Sequence, residues 1–156
     1  ISRNNHFAFD SYFYNMSILI FILAFFEEIL FRGFLLQFLS EKFNSSFIII
    51  LSSLLFSMAH VFNPEIGTIA MLNIFLAGIF LSILFLKTQN VIVTTSFHFI
   101  WNIGQQFLLN SAISGNDIGM NFLNIDKPVN NVLTGTYIIN KFGIESSVLT
   151  TLFLMI

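Results

Sequence analysis

The chain has 156 residues, of which 56% are apolar and only 9% are charged, with a formal net charge of −2 and no cysteine. Soluble domains carry about 25% charged residues, so this composition favours a protein of the lipid bilayer. The absence of a basic block argues against nucleic-acid binding. The absence of cysteine excludes disulfides, thiolate metal sites and a cysteine nucleophile.

The two ends of the sequence resemble cut points. The first residues, ISRNNHFAFD, contain neither an initiator methionine nor a signal-peptide pattern, and the last residues, SSVLTTLFLMI, stop within an apolar run. We therefore expect the sequence to be part of a longer chain with further helices. Residues 1–11 then form a tail in which His6 is solvated, and residues 12–156 form one transmembrane domain.

Four apolar segments are long enough to cross a bilayer, and a fifth begins near the C-terminus. They run from about Tyr12 to Leu39, from Phe47 to about Phe62, from about Thr68 to Leu86, from Val91 to about Leu109, and onward from about Ser146. A bilayer core needs roughly 20 helical residues, and a backbone in lipid must satisfy its own hydrogen bonds. The sequence predicts an all-α, polytopic transmembrane bundle in the cell membrane, with a polar loop over residues 110–145. Gly78 and Gly104 are expected to be points of close helix packing.

Three ionisable residues lie inside the first apolar segment, in the stretch AFFEEILFRGFL. Ionisable groups within the membrane are costly and are functional-site hypotheses by default. Glu28 and Arg32 are four residues apart, on one helical face, and can pair. Glu27 points about 100° away from that face, so we expect a partner for it on another helix.

Two other segments offer such partners. His60 lies near the end of the second segment, and His98 and Asn102 lie four residues apart on the fourth. If successive helices alternate in direction, a rise of about 1.5 Å per residue puts these groups and Glu27 at depths of about 12–20 Å from one membrane face. We therefore expect three helices to present them to one cavity.

This set of side chains suits hydrolysis of an acyl bond with water as the nucleophile. A carboxylate and a histidine can position and deprotonate a water molecule, and a second histidine with an amide can donate to a developing oxyanion. Glu27, His60 and His98 also form a zinc-type ligand set, although the usual H-E-x-x-H spacing is missing. The residues leave zinc as an open alternative to a reaction without a cofactor.

Structural explanations also remain open for each residue taken alone. The Glu28–Arg32 pair is also consistent with a purely structural link between helices. A membrane histidine such as His60 is often an interhelical hydrogen-bond donor, and Asn102 alone is more often structural. The shared depth across three helices is what favours a functional site.

Three short motifs carry a family resemblance. They are EEILFR (Glu27 to Arg32), FSMAH (Phe56 to His60) and HFIWN (His98 to Asn102), of the forms E-E-x-x-x-R, F-x-x-x-H and H-x-x-x-N. In this order on successive apolar segments, they resemble the CPBP or Abi family of CAAX-processing and bacteriocin-processing intramembrane proteases, which includes lysostaphin-resistance-like proteins. Residues 131–152 also resemble the segment that follows the third motif in bacterial members.

The resemblance implies a role for each matched position: water activation for Glu27 and His60, oxyanion stabilisation for His98 and Asn102, and support of the site for Glu28 and Arg32. The family has been described both as glutamate-dependent and as metal-dependent, so the metal question stays open. The implied partners are a peptide or prenylated-protein substrate and the lipid bilayer.

The leading hypothesis is an intramembrane endopeptidase that cleaves a prenylated C-terminal motif, a bacteriocin leader or a membrane-protein segment. A second hypothesis is a non-enzymatic immunity or scaffold protein that retains the site as a remnant or a binding pocket. A third is a proton- or ion-coupled transporter that uses the buried glutamate, against which the small size and the lack of inverted repeats argue.

Overall fold

The computed structural model describes residues 11–109, 111–116 and 143–155, and in these ranges it contains helices and turns but no β-strand. The helices are α1 (Ser11–Glu28), a π-helical stretch (Ile29–Leu36), α2 (Gln37–Ser40), α3 (Ser45–Ala59), α4 (Thr68–Thr88), α5 (Val91–Leu109), a 3₁₀ turn (Ile144–Ser146) and α6 (Val148–Met155). The all-α prediction is confirmed for these residues. The predicted tail with His6, and most of the predicted polar loop, lie outside them.

The first predicted segment is one uninterrupted helical run, because α1 continues directly through the π-helical stretch into α2. In a π-helix each N–H bonds to the carbonyl five residues earlier, which widens the turn. Glu28 ends α1, and Glu28, Arg32 and Leu36 are all buried at four-residue spacing. The E-E-x-x-x-R motif thus lies where the helix widens, a feature that the sequence pattern did not predict.

Helix α3 is shorter than its predicted segment. It begins after Asn44, whose side chain accepts a hydrogen bond from the backbone N–H of Phe47 at 3.0 Å, a typical N-cap. It ends with His60 as the C-cap residue, and Phe62 beyond it is 95% exposed. His60 therefore lies at the end of a helix, where the chain turns away from the bundle.

Helices α4 and α5 form a hairpin in which α4 packs against α3 and α5 packs against α1. Gln89 ends α4 with a left-handed φ of 50°, and Phe80 of α4 meets Phe97 of α5 with ring centroids 4.6 Å apart. A Cβ at Gly78 would lie 3.0 Å from Cα of Ser53, so the predicted close approach at Gly78 is confirmed. The same prediction for Gly104 is wrong. No atom of a neighbouring described element lies within 4 Å of a Cβ placed there.

The surface and the interior have the polarity expected for a protein in lipid. Fully buried hydroxyl side chains include Ser52, Ser53, Ser82, Thr94 and Thr95. Exposed large apolar side chains include Ile18, Leu23 and Phe26 on α1, Ile50 and Leu54 on α3, and Ile92 and Ile100 on α5. Water-soluble proteins mostly bury the second kind of residue and expose the first. Small and hydroxyl residues instead dominate helix contacts in membranes.

By length and composition, one described helix, Thr68–Thr88, is long and apolar enough to cross a membrane by itself. Ser45–Ala59 is apolar but shorter.

The C-terminal residues return to the bundle and pack against α4. The amide of Asn73, buried in α4, donates to the backbone carbonyls of Glu145 at 2.6 Å and Ser147 at 3.0 Å. The hydroxyl of Thr151 donates to the carbonyl oxygen of the same amide at 2.6 Å. The predicted fifth segment is therefore present as α6, and a buried polar side chain of α4 anchors it.

Candidate active site

A buried ion pair lies at the centre of the bundle. Arg32 Nη1 donates to Glu28 Oε1 at 2.9 Å, and both side chains are 0% exposed. The same carboxylate oxygen accepts a hydrogen bond from His98 Nδ1 at 3.0 Å. The expected Glu28–Arg32 pair is thus present, and it also binds the histidine of α5, a link that spacing within one helix did not reveal.

The guanidinium of Arg32 is held on two further sides. Its Nη2 donates to the backbone carbonyl of Gly78 at 3.3 Å, and its Cζ lies 4.4 Å above the centroid of the Phe56 ring. A cation over an aromatic face is attracted by the ring quadrupole, most strongly when it is desolvated. Arg32 therefore connects the π-helical stretch to α3 and α4.

Phe56 also explains the spacing of the second motif. Its backbone carbonyl lies 2.8 Å from His60 Nδ1, and because a carbonyl only accepts, Nδ1 carries the proton and donates. Its ring packs against the His60 ring at a centroid distance of 4.7 Å. One residue thus orients His60 through its backbone and covers Arg32 with its side chain.

Glu27 faces both histidines. Its Oε2 lies 4.0 Å from His60 Nε2 and 3.9 Å from His98 Nε2, and its side chain is 37% exposed. Within the described part of the chain, no protein donor forms a hydrogen bond with this buried oxygen. The structure therefore brings Glu27, His60 and His98 together around one point, with a gap between the carboxylate and each imidazole.

These three residues and Asn102 line one cavity of about 490 Å³. Its apolar wall comes mainly from α1, and its polar wall also includes Asn63, Ser114 and Asn116. All four residues predicted from the sequence as catalytic candidates thus border the same space. A second, mostly apolar cavity of about 50 Å³ lies beyond the histidines, among α4, α5 and α6.

Sequence reasoning missed part of this surrounding shell. Ser114 lines both cavities, and the Glu145 side chain lines the smaller one. Both fall in the predicted polar loop, and although Glu145 also lies in the stretch 131–152 that resembles bacterial family members, that resemblance gave neither residue a role. The buried Asn73 of α4 gave one signal, because an amide in an apolar helix needs a polar partner.

The described residues do not show the geometry of a metal site. No group of three or more His, Cys, Asp or Glu side chains arranged to hold a metal ion occurs in residues 11–109, 111–116 or 143–155. The proposed set of Glu27, His60 and His98 has the right chemistry, but its carboxylate oxygen lies 3.9–4.0 Å from the imidazole nitrogens. Two ligands of a tetrahedral zinc at about 2.0–2.1 Å are only about 3.3 Å apart.

A helical bundle with an apolar surface and a glutamate between two histidines is the arrangement expected of a hydrolase that works within a membrane. The model of the Rce1-like type II CAAX prenyl endopeptidase family matches residues 9–104, a range that contains all three motifs. The chain belongs to this family, a family of membrane endopeptidases, and the resemblance found in the motifs is confirmed. No curated protein and no solved structure matches the chain.

Proposed function

We propose that the protein is a multi-pass intramembrane endopeptidase that hydrolyses a peptide bond with a water activated by Glu27 and His60. The observation that carries the proposal is the position of Glu27 Oε2, a buried acceptor that faces His60 Nε2 at 4.0 Å and has no protein donor among the residues that the structure describes. Family membership supports a peptide substrate with a prenylated CAAX end.

The hydrogen-bond partners support a specific place for the water. His60 donates from Nδ1 to the Phe56 carbonyl, so its neutral ring offers a lone pair at Nε2. One water molecule can donate to this nitrogen and to Glu27 Oε2 at the same time. Two such hydrogen bonds of about 2.8 Å span about 4–4.5 Å between the acceptors, and the observed separation is 4.0 Å.

The proposed reaction needs only protein groups and this water. Glu27 takes one proton as the water oxygen bonds to the substrate carbonyl carbon, and general-base assistance of this kind contributes about 10²–10⁴-fold to the rate. Collapse of the tetrahedral intermediate breaks the C–N bond, and Glu27 returns the proton to the leaving amine. The immediate products are a carboxylic acid and a free amine, and transfer of the remaining water proton from the acid to the amine leaves a carboxylate and an ammonium group.

His98 and Asn102 are the proposed donors to the oxyanion. His98 donates from Nδ1 to Glu28, so donation from Nε2 requires a second ring proton and thus an imidazolium. Its positive charge together with that of Arg32 balances the two adjacent carboxylates, Glu27 and Glu28. Asn102 follows His98 by one helical turn and lines the same cavity, which supports a paired role.

The spacing favours this water-based reaction over a zinc-based one. The 4.0 Å between Glu27 Oε2 and His60 Nε2 matches two acceptors that share a water. The separations of Glu27 Oε2 from both imidazoles, 3.9–4.0 Å, exceed that of two zinc ligands. We derive no step through a metal.

The polarity pattern supports several membrane crossings. One helix passes as a span by its own length and composition, but α1, α3 and α5 also expose large apolar side chains while the bundle buries hydroxyl groups. The helical run Ser11–Ser40 is long enough to cross at about 1.5 Å per residue. We propose that these helices cross the cell membrane together with α4.

The test is cleavage of a prenylated CAAX peptide by purified protein in proteoliposomes. Wild type is compared with Glu27→Gln, which keeps the shape but removes the base, and with Glu41→Gln, which removes an exposed carboxylate in the turn after α2. We expect Glu27→Gln to lose at least about 10²-fold in kcat and Glu41→Gln to match wild type. The same peptide without its prenyl group tests the substrate class.

A chelator arm separates the two mechanisms. Cleavage that persists in chelator and disappears in Glu27→Gln supports the glutamate-activated water. Cleavage that is lost in chelator and restored by zinc contradicts it. Full activity of Glu27→Gln refutes the assignment of the base, and absence of cleavage by wild type favours the immunity or scaffold alternative.

A further inference from the structure

Glu145 lies outside the three motifs, and its carboxylate forms hydrogen bonds with residues that precede the range 117–142. Glu145 Oε2 accepts hydrogen bonds from both the backbone N–H and the hydroxyl of Ser114, each at 3.0 Å. Its other oxygen accepts from Gln105 Nε2 at 3.2 Å. Its backbone carbonyl accepts from Asn73. Glu145 therefore bonds to α4, α5 and the turn at Ser114 at once.

The turn that Glu145 binds is tight and strained. Ile113 and Asn116 form an isolated antiparallel bridge, and the residues between them, Ser114 and Gly115, have φ values of 46° and 83°. Left-handed conformations are unfavourable for residues other than glycine. The two hydrogen bonds to Glu145 offset this cost at Ser114 and fix the direction in which the turn points.

The turn forms part of the wall of the catalytic cavity. Ile113, Ser114 and Asn116 line the 490 Å³ cavity together with Glu27 and the two histidines. Gln105, the third partner of Glu145, lies on α5 one turn beyond Asn102 and is buried. Glu145 lines the smaller cavity and is not among the residues that line the large one.

We propose that Glu145 is a positioning residue that holds the Ile113–Asn116 turn as the substrate-binding wall of the large cavity. This inference rests on the endopeptidase function proposed above. Because Glu145 contacts the turn and not the Glu27–His60 pair, its loss weakens substrate binding more than it slows the chemical step. The expected result is a rise in KM with kcat nearly unchanged.

Hydrogen bonding, not charge, is the property that the position requires. In Glu145→Gln the side-chain carbonyl oxygen still accepts from Ser114. Gln105 Oε1 is a buried acceptor without a partner among the described residues. If the Gln105 amide rotates by about 180°, the new amide of residue 145 can donate to this oxygen. In Glu145→Ala both donors of Ser114 lose their acceptor. The conservative variant is therefore expected to rescue what the alanine variant loses.

The experiment measures kcat and KM for the prenylated CAAX peptide with Glu145→Ala, Glu145→Gln, Ser114→Ala and, as a control, Glu41→Ala. We expect Glu145→Ala to raise KM about tenfold, the size of one lost charge-assisted hydrogen bond, with kcat within about twofold of wild type. Glu145→Gln and Glu41→Ala should stay near wild type. Ser114→Ala keeps the backbone donor and should show a smaller rise, and it remains a test if Glu145→Ala does not fold.

A second measurement does not depend on cleavage. The chain has no cysteine, so Asn116→Cys places a single thiol on the turn, at an exposed position that lines the large cavity. We expect the rate of maleimide labelling of this thiol to change several-fold when Glu145→Ala is added. It should not change with Glu145→Gln or Glu41→Ala.

The outcomes separate this inference from the proposed function. Wild type that never cuts the peptide refutes the function, and the labelling rates then decide alone whether Glu145 positions the turn. Unchanged KM and labelling in Glu145→Ala overturn the inference, as does a fall in kcat with KM unchanged. Loss in Glu145→Gln equal to that in Glu145→Ala overturns it as well.

Discussion

Glu27 and Glu28 are adjacent in the chain and lie in opposite surroundings. Glu28 is 0% exposed and binds both Arg32 and His98, whereas Glu27 is 37% exposed and faces a 490 Å³ cavity. A buried charge is tolerated only where partners satisfy it. A group that must exchange protons with a substrate has to border the space that the substrate enters. The comparison supports the roles proposed above, positioning for Glu28 and proton transfer for Glu27.

Neighbouring carboxylates differ in this way because a helix directs adjacent residues about 100° apart. Glu28 points into the bundle toward Arg32 and α5. Glu27 points toward His60 at the end of α3 and toward His98 in the middle of α5. The widening of the helix directly after Glu28 keeps Arg32 in line with it. Two adjacent residues thus supply one fully buried carboxylate and one that faces the large cavity.

The largest expected difference is in the stability of the two matched variants. Glu28→Gln leaves the buried Arg32 without its counter-charge, which costs about 3–5 kcal/mol in the free energy of unfolding. Glu27→Gln changes a partly exposed side chain and should stay within about 0.5 kcal/mol of wild type. Unfolding in detergent by titration with a denaturing detergent measures both. Equal losses in the two variants would contradict the comparison.

Removing both members of the ion pair should restore stability but not activity. The double variant Glu28→Leu/Arg32→Leu replaces two buried charges with apolar groups, so its stability should return to within about 1.5 kcal/mol of wild type. His98 then has no acceptor at Nδ1, and loss of such an orienting partner typically costs about 10–100-fold in activity. Unfolding and cleavage are measured on the same preparation. Recovery of both properties would show that Glu28 does not orient His98.

The sequence was sufficient for the helices and for the residues that meet at the site, but not for the links between them. Apolar segment lengths predicted five of the helices, and equal depth predicted that Glu27, His60 and His98 approach one another. The contact of His98 with Glu28, and of Arg32 with Phe56, depends on helix rotation, which spacing does not fix. Local periodicity did not predict the π-helical stretch or the contacts of Glu145 with Ser114 and Gln105, because both arise from long-range packing; the resemblance over residues 131–152 marked the region of Glu145 but not these contacts.

Phe56 provides a test of intermediate size. Its buried ring covers the Arg32 guanidinium at 4.4 Å and packs edge-on against Phe31. Phe56→Leu loses the cation–π contact and some packing volume, which should cost about 2 kcal/mol in the free energy of unfolding. Phe62→Leu is the matched control, because Phe62 is 95% exposed. A Phe56→Leu variant as stable as this control would mean that the ring does not stabilise the guanidinium.

The smallest expected effects come from two helix glycines, and they have opposite signs. Gly78→Ala places a Cβ 3.0 Å from Ser53 Cα, so α3 must move away from α4. That shift disturbs the Gly78 carbonyl that accepts from Arg32, and overpacking of this kind costs about 1–3 kcal/mol. At Gly104 a new Cβ meets no atom of a neighbouring described element within 4 Å. Alanine forms helix better than glycine, so Gly104→Ala should add up to about 1 kcal/mol to the free energy of unfolding. The unfolding midpoints of Gly78→Ala and Gly104→Ala, each compared with wild type, test both expectations. Gly78 contacts Ser53 and Arg32, and it is not among the residues that line the large cavity, so its alanine variant should weaken stability and leave the proposed Glu27–His60 pair in place. A stabilising Gly78→Ala would mean that α3 and α4 are not in close contact there.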